Sequence, residues 1–206
     1  MSKVTVSPEK KKKIIIGTGV VLLLALLIIV FLFLNKDIIA GTPTLIIETP
    51  QKISLSQTDE ITLDVTVSTL GDAVYPAASM SISFDSSRLE FLGVEEGNVF
   101  IRDDGNGAQK LPDWSVNPVQ CNKTGKINIM YLDTTGGKNA FSKELLAEDN
   151  NVVLRLEFRL RGSLRSGDVC DLIFEDAVFA SSDEAQSLAM TTGTLKVKNG
   201  KIVVGE

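Results

Sequence analysis

The sequence SMSISF at residues 79–84 sets Met80, Ile82 and Phe84 in strict alternation with Ser79, Ser81 and Ser83. A period of two is the mark of a strand with one buried and one open face. One side of this strand is therefore core and the other is a row of hydroxyls. Asp85, Ser86 and Ser87 follow, short polar residues whose side chains bond back to the local backbone and turn the chain. Residues 89–94, LEFLGV, read as a second strand, apolar at nearly every position and so expected to be covered on both faces. Glu95, Glu96, Gly97 and Asn98 close it. The two strands and their polar turn form either an ordinary solvated sheet face or a flat surface presented to a partner.

Working outward, residues 126–133, KINIMYLD, give a further informative strand. With polar Asn128 facing water, Met130 and Leu132 share its face, while Ile127, Ile129 and Tyr131 point inward. Two aliphatic side chains are then exposed side by side. Residues 133–137, DTTGG, end this strand in a tight polar loop. Strands are also expected at 45–48, 60–67 (EITLDVTV), 99–101, 152–160 (VVLRLEFRL), 169–175 and 177–180, with one or two helical turns in 140–148. Residues 195–197 and 202–204 read as a closing hairpin around Asn199-Gly200, a favoured two-residue turn. Nine or ten short strands, regular turn signals, no internal repeat and no long helix after the N-terminal region predict one all-β sandwich.

The N-terminal region is different. Residues 14–34 are uncharged throughout and long enough to cross a hydrocarbon core of about 30 Å as a helix, which takes about 20 residues. Lys10, Lys11, Lys12 and Lys13 precede this run, whereas Lys36 and Asp37 cancel on its far side. The positive-inside rule places residues 1–13 in the cytoplasm as a basic tail and everything after the span outside. The expected organisation is a tail at 1–13, a transmembrane signal anchor at 14–34, a tether at 35–43 and a sandwich at 44–206. Cleavage near Ala40, which would release a secreted domain, is the competing reading. The apolar run exceeds the usual signal core of roughly 7 to 15 residues, and no small-x-small site follows it.

The chain carries a net charge of −5, more negative once Lys3, Lys10–Lys13 and Glu9 are set aside, which argues against nucleic acid as a ligand. It has no histidine, and this removes Ser-His-Asp and Cys-His catalysis and the commonest zinc ligand. Glu95-Glu96 and Asp183-Glu184 read as solvated loop charges, and no carboxylate pair forms a recognisable catalytic arrangement. An enzyme is not expected. Residues 103–107, DDGNG, contain ingredients of a calcium loop but lack the ligand spacing and late glutamate of an EF-hand, so they read as a turn and no metal is assigned. Trp114, the only tryptophan, reads as a plug at the end of the core, with sugar stacking as its alternative. Asn122-Lys123-Thr124 has the form of a glycan acceptor. Cys121 and Cys170 are either a disulfide or two small buried hydrophobes.

Four stretches in order resemble the cohesins, modules that hold cellulosome-type multienzyme complexes together. These are ASMSISFDSSRLEFLGVEEGN at 78–98, GKINIMYLDTTGG at 125–137, DAVFA at 176–180 and NGKIVV at 199–204. The resemblance implies a nine-stranded jelly-roll β-sandwich whose flat face binds a dockerin, which carries its own calcium, so that this chain needs no cofactor. Carried over by motif, the contact positions fall on Ala77, Ser79, Ser81, Asn128, Met130, Leu132 and Asp133. Many cohesins place Asn and Asp where Ala77 and Ser79 stand, so the polar grip on a dockerin helix is weaker here. The function implied is a cell-surface adaptor docking a dockerin-bearing enzyme or scaffold, with indirect association to polysaccharide. A carbohydrate-binding module and a purely structural spacer are the other classes.

Overall fold

Strand β3 (Ala77–Phe84) runs between two antiparallel neighbours, β5 (Lys126–Leu132) and β7 (Val169–Ala180), and β9 (Gly200–Val203) extends this sheet beyond β7. The second sheet has the order β4-β6-β2-β1-β8, formed by β1 (Thr44–Ile47), β2 (Glu60–Val67), β4 (Leu89–Glu96), β6 (Val152–Leu160) and β8 (Lys196–Lys198). β1 is antiparallel to β2 and parallel to β8. These assignments come from a computed structural model that describes residues 41–50, 52–54, 60–100, 114–146, 150–182 and 189–205. The basic tail at 1–13, the apolar span at 14–34, most of the tether, the turn at 103–107 and Asp183-Glu184 lie outside the described residues. No helix among the described residues is long and apolar enough to cross a membrane.

The alternation seen in the sequence becomes alternating burial. In β3 every second residue from Ala78 to Phe84 is buried, and in β5 Ile127, Ile129 and Tyr131 are buried between exposed neighbours. Inward residues of the two sheets meet in one core. Phe84 of β3 packs its ring against Phe158 of β6 at 5.6 Å between centroids, and Phe158 lies 5.5 Å from Phe91 of β4, edge to face. At the other end Trp114, half-buried, stands 5.3 Å from Tyr131 and 6.0 Å from Phe141. Trp114 is thus the plug that the sequence suggests.

Two bulges explain where the sequence reading and the fold part company. β3 and β4, joined by a short turn, lie in different sheets, so they do not form one flat surface together. The turn itself is as expected: Asp85 Oδ1 accepts from the Ser87 N–H at 2.9 Å and from its hydroxyl at 2.6 Å. β4 is an edge strand and is not covered on both faces. Its register shifts between Phe91 and Gly93, so Leu92 is an extra residue and the inward set changes phase. Leu89 and Phe91 face the core before the bulge, and Val94 sits opposite Leu156 after it. The unbroken apolar run records a change of phase rather than two-sided burial.

The second bulge lies in β7. Ile82 pairs with Phe174 and Ser81 with Asp176, which leaves Glu175 as the extra residue. The segments expected separately at 169–175 and 177–180 are therefore one strand. Residues 195–197 and 202–204 do not make a hairpin: β8 joins one sheet and β9 the other. The chain crosses between sheets at Gly200, where an added Cβ would lie 2.5 Å from Ile47 Cγ2. Close approach to β1, not turn geometry, requires the glycine. Val99 and Phe100 form a buried turn instead of a strand, and among the described residues of 140–148 only Lys143–Leu145 makes a helical turn, of 3-10 type.

One element was not anticipated, helix α1 (Pro118–Thr124). Its signals are nonetheless present: Asn117 caps it by accepting from the Gln120 N–H, Pro118 occupies the first turn, and Gly125 ends it at φ 68°. From α1, Asn122 accepts from the Phe91 N–H at 2.8 Å and donates to the Phe91 carbonyl at 2.7 Å. One carboxamide thus imitates a neighbouring strand along the β4 edge. Its amide also donates to the Pro118 carbonyl at 2.9 Å, so both hydrogens of this nitrogen are committed within the fold. Cys121 and Cys170 are buried free thiols, and burial pushes the Cys170 thiol above its ordinary value.

Replacing Asn122 by Ala orphans both Phe91 groups and is expected to cost about 1–3 kcal/mol. Gly200→Ala should cost a similar amount, about 1–3 kcal/mol, through overpacking against Ile47. Both should appear as a lower urea midpoint at unchanged slope.

Candidate functional site

The outer face of the four-stranded sheet is built in rungs. Ala77 lies between Leu132 and Ala180, Ser79 between Met130 and Val178, Ser81 between Asn128 and Asp176, and Ser83 between Lys126 and Ile173. Six of the seven sequence-derived contact positions, Ala77, Ser79, Ser81, Asn128, Met130 and Leu132, are therefore neighbours on one surface. Met130 is 62% exposed and Leu132 63%. Such values are unusual for aliphatic residues on a well-formed strand whose other face is fully buried. The Ser81 hydroxyl donates to Asn128 Oδ1 at 2.9 Å, fixing the polar middle of the face.

The seventh position, Asp133, behaves differently. Its N–H donates to the Pro76 carbonyl at 2.6 Å, and its carboxylate turns into its own loop. Oδ1 accepts from the Thr135 N–H at 2.8 Å and the Thr135 hydroxyl at 2.5 Å, and Oδ2 accepts from the Gly137 N–H at 2.5 Å. Burial works against the charged form, but these hydrogen bonds outweigh it and hold the carboxyl below its usual value. Asp133 thus shapes the loop at the apolar end of the face. Beneath it the Tyr131 hydroxyl donates to the Asn139 carbonyl at 2.5 Å, with burial pushing the phenol upward.

Sequence reasoning missed the third strand of the surface. Asp176, Val178 and Ala180 of β7 face outward opposite the buried Ala177 and Phe179. The alternation in DAVFA carries that signal, but the phase becomes readable only once the bulge at Glu175 is known. Beyond the free side of β5, Ser115 exchanges backbone hydrogen bonds with Met130 at 2.7 and 3.0 Å. The segment from Ser115 to Asn117 forms the rim of a depression of about 470 Å³ that crosses Asn128 and Met130 to reach Asp176. At the opposite end Lys126 pairs with Glu175 at 2.7 Å, and Ile173 and Val169 are exposed.

The other sheet presents a contrasting surface. Arg159 pairs with Glu60 at 2.7 Å and Glu90 at 3.4 Å, Arg155 with Asp64 at 2.9 Å, and Thr66 donates to Glu48 at 2.8 Å. Burial, then the neighbouring Glu95, raises the Glu157 carboxyl above its usual value. Most charges of this face pair across strands, Glu157 beside Glu95 being the exception, as on a solvated face. The aromatic side chains that a sugar-binding strip requires are buried among the described residues, apart from half-buried Trp114. No three His, Cys, Asp or Glu side chains among the described residues gather to hold a metal.

A sandwich with one charge-compensated face and one face of small hydroxyls beside exposed aliphatics has the surface of a protein-interaction module. The cohesin domain model matches residues 47–203, and the chain belongs to the cohesin family, whose fold is a non-enzymatic interaction module. Solved structures agree in fold. The third cohesin ScaC of Acetivibrio cellulolyticus, in complex with the ScaB dockerin, matches with a TM-score of 0.56 at 13% identity, over 80% of this chain and 99% of that one. The sixth cohesin of scaffoldin B from the same organism, in complex with a Cel5 dockerin, matches with a TM-score of 0.56 at 18% identity, over 79% and 99%. The OlpA cohesin of a type I cohesin–dockerin complex from Clostridium thermocellum gives 0.55 and 18%, over 79% and 99%. No curated protein matches the sequence.

The depressed Asp133 value has a definite consequence for pH dependence. The unfolded carboxyl titrates near 3.9, so the stabilisation is complete above about pH 5 and is lost as pH falls through that value and then the lower folded one. Asp85, held by the Ser87 hydroxyl, and Asp168, held by the Arg165 N–H and Arg88, act in the same direction. Urea unfolding from about pH 5 down to about pH 2 should show falling stability, with a shallower slope in Asp133→Ala.

Proposed function

We propose that this chain is an adaptor that captures a dockerin-bearing protein through the β5-β3-β7 face and is held at the cell surface by residues 14–34. The observation that carries the reading is the pairing of family membership with Met130 and Leu132, both nearly two-thirds exposed beside a floor of serines. Burying these two side chains against a partner helix supplies about 1.5–3 kcal/mol each at most. Ser79, Ser81, Asn128 and Asp176 offer hydrogen-bonding groups that set orientation. Asp133 contributes through the loop it holds. Calcium belongs to the dockerin in this scheme, and polysaccharide is reached only through what the dockerin carries.

The tail of lysines before the apolar run and the short tether after it support a single-pass arrangement with the sandwich outside. Fractionation of host cells tests this: a full-size product in the membrane fraction is expected, and a soluble product starting near Gly41 would overturn it. For the docking reading, the chain is mixed with a broad panel of dockerins, with and without a calcium chelator. Binding that chelator abolishes is expected, and silence across the panel would sink the adaptor role. Met130→Asp with Leu132→Asp should weaken binding by at least about a hundredfold, corresponding to about 2.7 kcal/mol, at unchanged thermal midpoint. The charge-face variant Glu157→Gln should bind as the parent does.

A further inference from the structure

We infer that Met130 is a peroxide-sensitive site whose oxidation weakens capture by the docking face. The inference rests on the docking reading above and adds a modification to it. Of the four methionines, Met1 lies outside the described residues, while Met80 and Met190 are 3% and 2% exposed. Met190 is further enclosed by the Gly71 N–H, which donates to its sulfur at 3.3 Å. Met130 alone among the described methionines stands open to solvent. It does so at the centre of the apolar end of the face, between Asn128 and Leu132 and beside Ser79.

Thioether oxidation follows access of the oxidant to sulfur. The sulfur lone pair attacks one oxygen of hydrogen peroxide, an S–O bond forms and the O–O bond breaks. The proton of the transferred hydroxyl passes to the departing hydroxide, which leaves as water. Sulfur loses two electrons and the peroxide is reduced by two. The product is a polar, chiral sulfoxide where an unbranched apolar chain stood. At the end of the surface where the apolar contribution comes from Met130, Leu132 and Val178, this removes a large share of the area available for burial. Backbone pairing of β5 with β3 and Ser115 does not involve the sulfur, so the strand keeps its place.

The test treats the full chain with dilute hydrogen peroxide and maps its peptides by mass spectrometry. One added oxygen at Met130 is expected well before any at Met80 or Met190, and in urea all three should react at similar rates. Dockerin affinity should fall about tenfold on oxidation and recover with a methionine sulfoxide reductase. Met130→Leu, whatever its own affinity, should give the same value before and after peroxide. Oxidation of Met80 or Met190 in the folded chain as fast as Met130, or a Met130 sulfoxide that binds as tightly as the thioether, overturns the inference. Failure of the untreated chain to bind any dockerin would instead sink the docking reading and, with it, the weakening. Selective oxidation then stands or falls on the peptide map alone.

Discussion

The inward burial of Met80, Ile82 and Phe84 is the constraint from which the rest of the molecule follows. A slip of β3 by one residue would carry three serines into an apolar core and expel three large side chains, and each buried hydroxyl without a partner costs on the order of 1–3 kcal/mol. The phase of β3 is therefore fixed. Because β5 and β7 pair with it residue by residue, their phases are fixed as well. Met130 and Leu132 are held outward by a core they do not touch, and the open face is a by-product of the closed one.

Two sheets then divide the work. The five-stranded sheet compensates its own charges, with Arg155 and Arg159 each set between carboxylates or carbonyls of neighbouring strands. The four-stranded sheet keeps its open face short of charge over the rungs of Ser79 and Ala77, and among the described residues its ion pair of Lys126 with Glu175 lies at the far end. Of the large aliphatics exposed on strands, Met130, Leu132, Val169 and Ile173 stand on this sheet, and Val197 on the edge strand β8 of the other. Asp133 completes the arrangement from outside the sheet, since its carboxylate organises the loop that borders Leu132.

Much of this was legible in the sequence wherever period-two alternation ran unbroken. β2, β3, β5 and β6 lie where their patterns place them, and the outward set Asn128, Met130 and Leu132 is read correctly. The failures cluster where one extra residue changes phase. Leu92 makes β4 look buried on both faces, and Glu175 makes β7 look like two strands and hides Asp176 and Val178 from the surface. Asn199-Gly200 mimics a hairpin because a two-residue turn and a crossing between sheets use the same small residues. Helix α1 was overlooked because seven residues are too few for a helical period to stand out, although its caps were in plain view. Asp133 was carried over by motif as a contact position, whereas its commitment to Thr135 and Gly137 depends on loop geometry that no pattern encodes.

The carboxamide of Asn122 has one more consequence. An uncovered strand margin invites any other extended chain to add itself, and fusion of neighbouring copies is the usual cost of crowding β-proteins together. Here the rim of β4 is answered by Asn122 and the rim of β5 by Ser115. At Phe91 and at Met130, one point on each margin, a strand arriving from the side finds both backbone groups already spoken for.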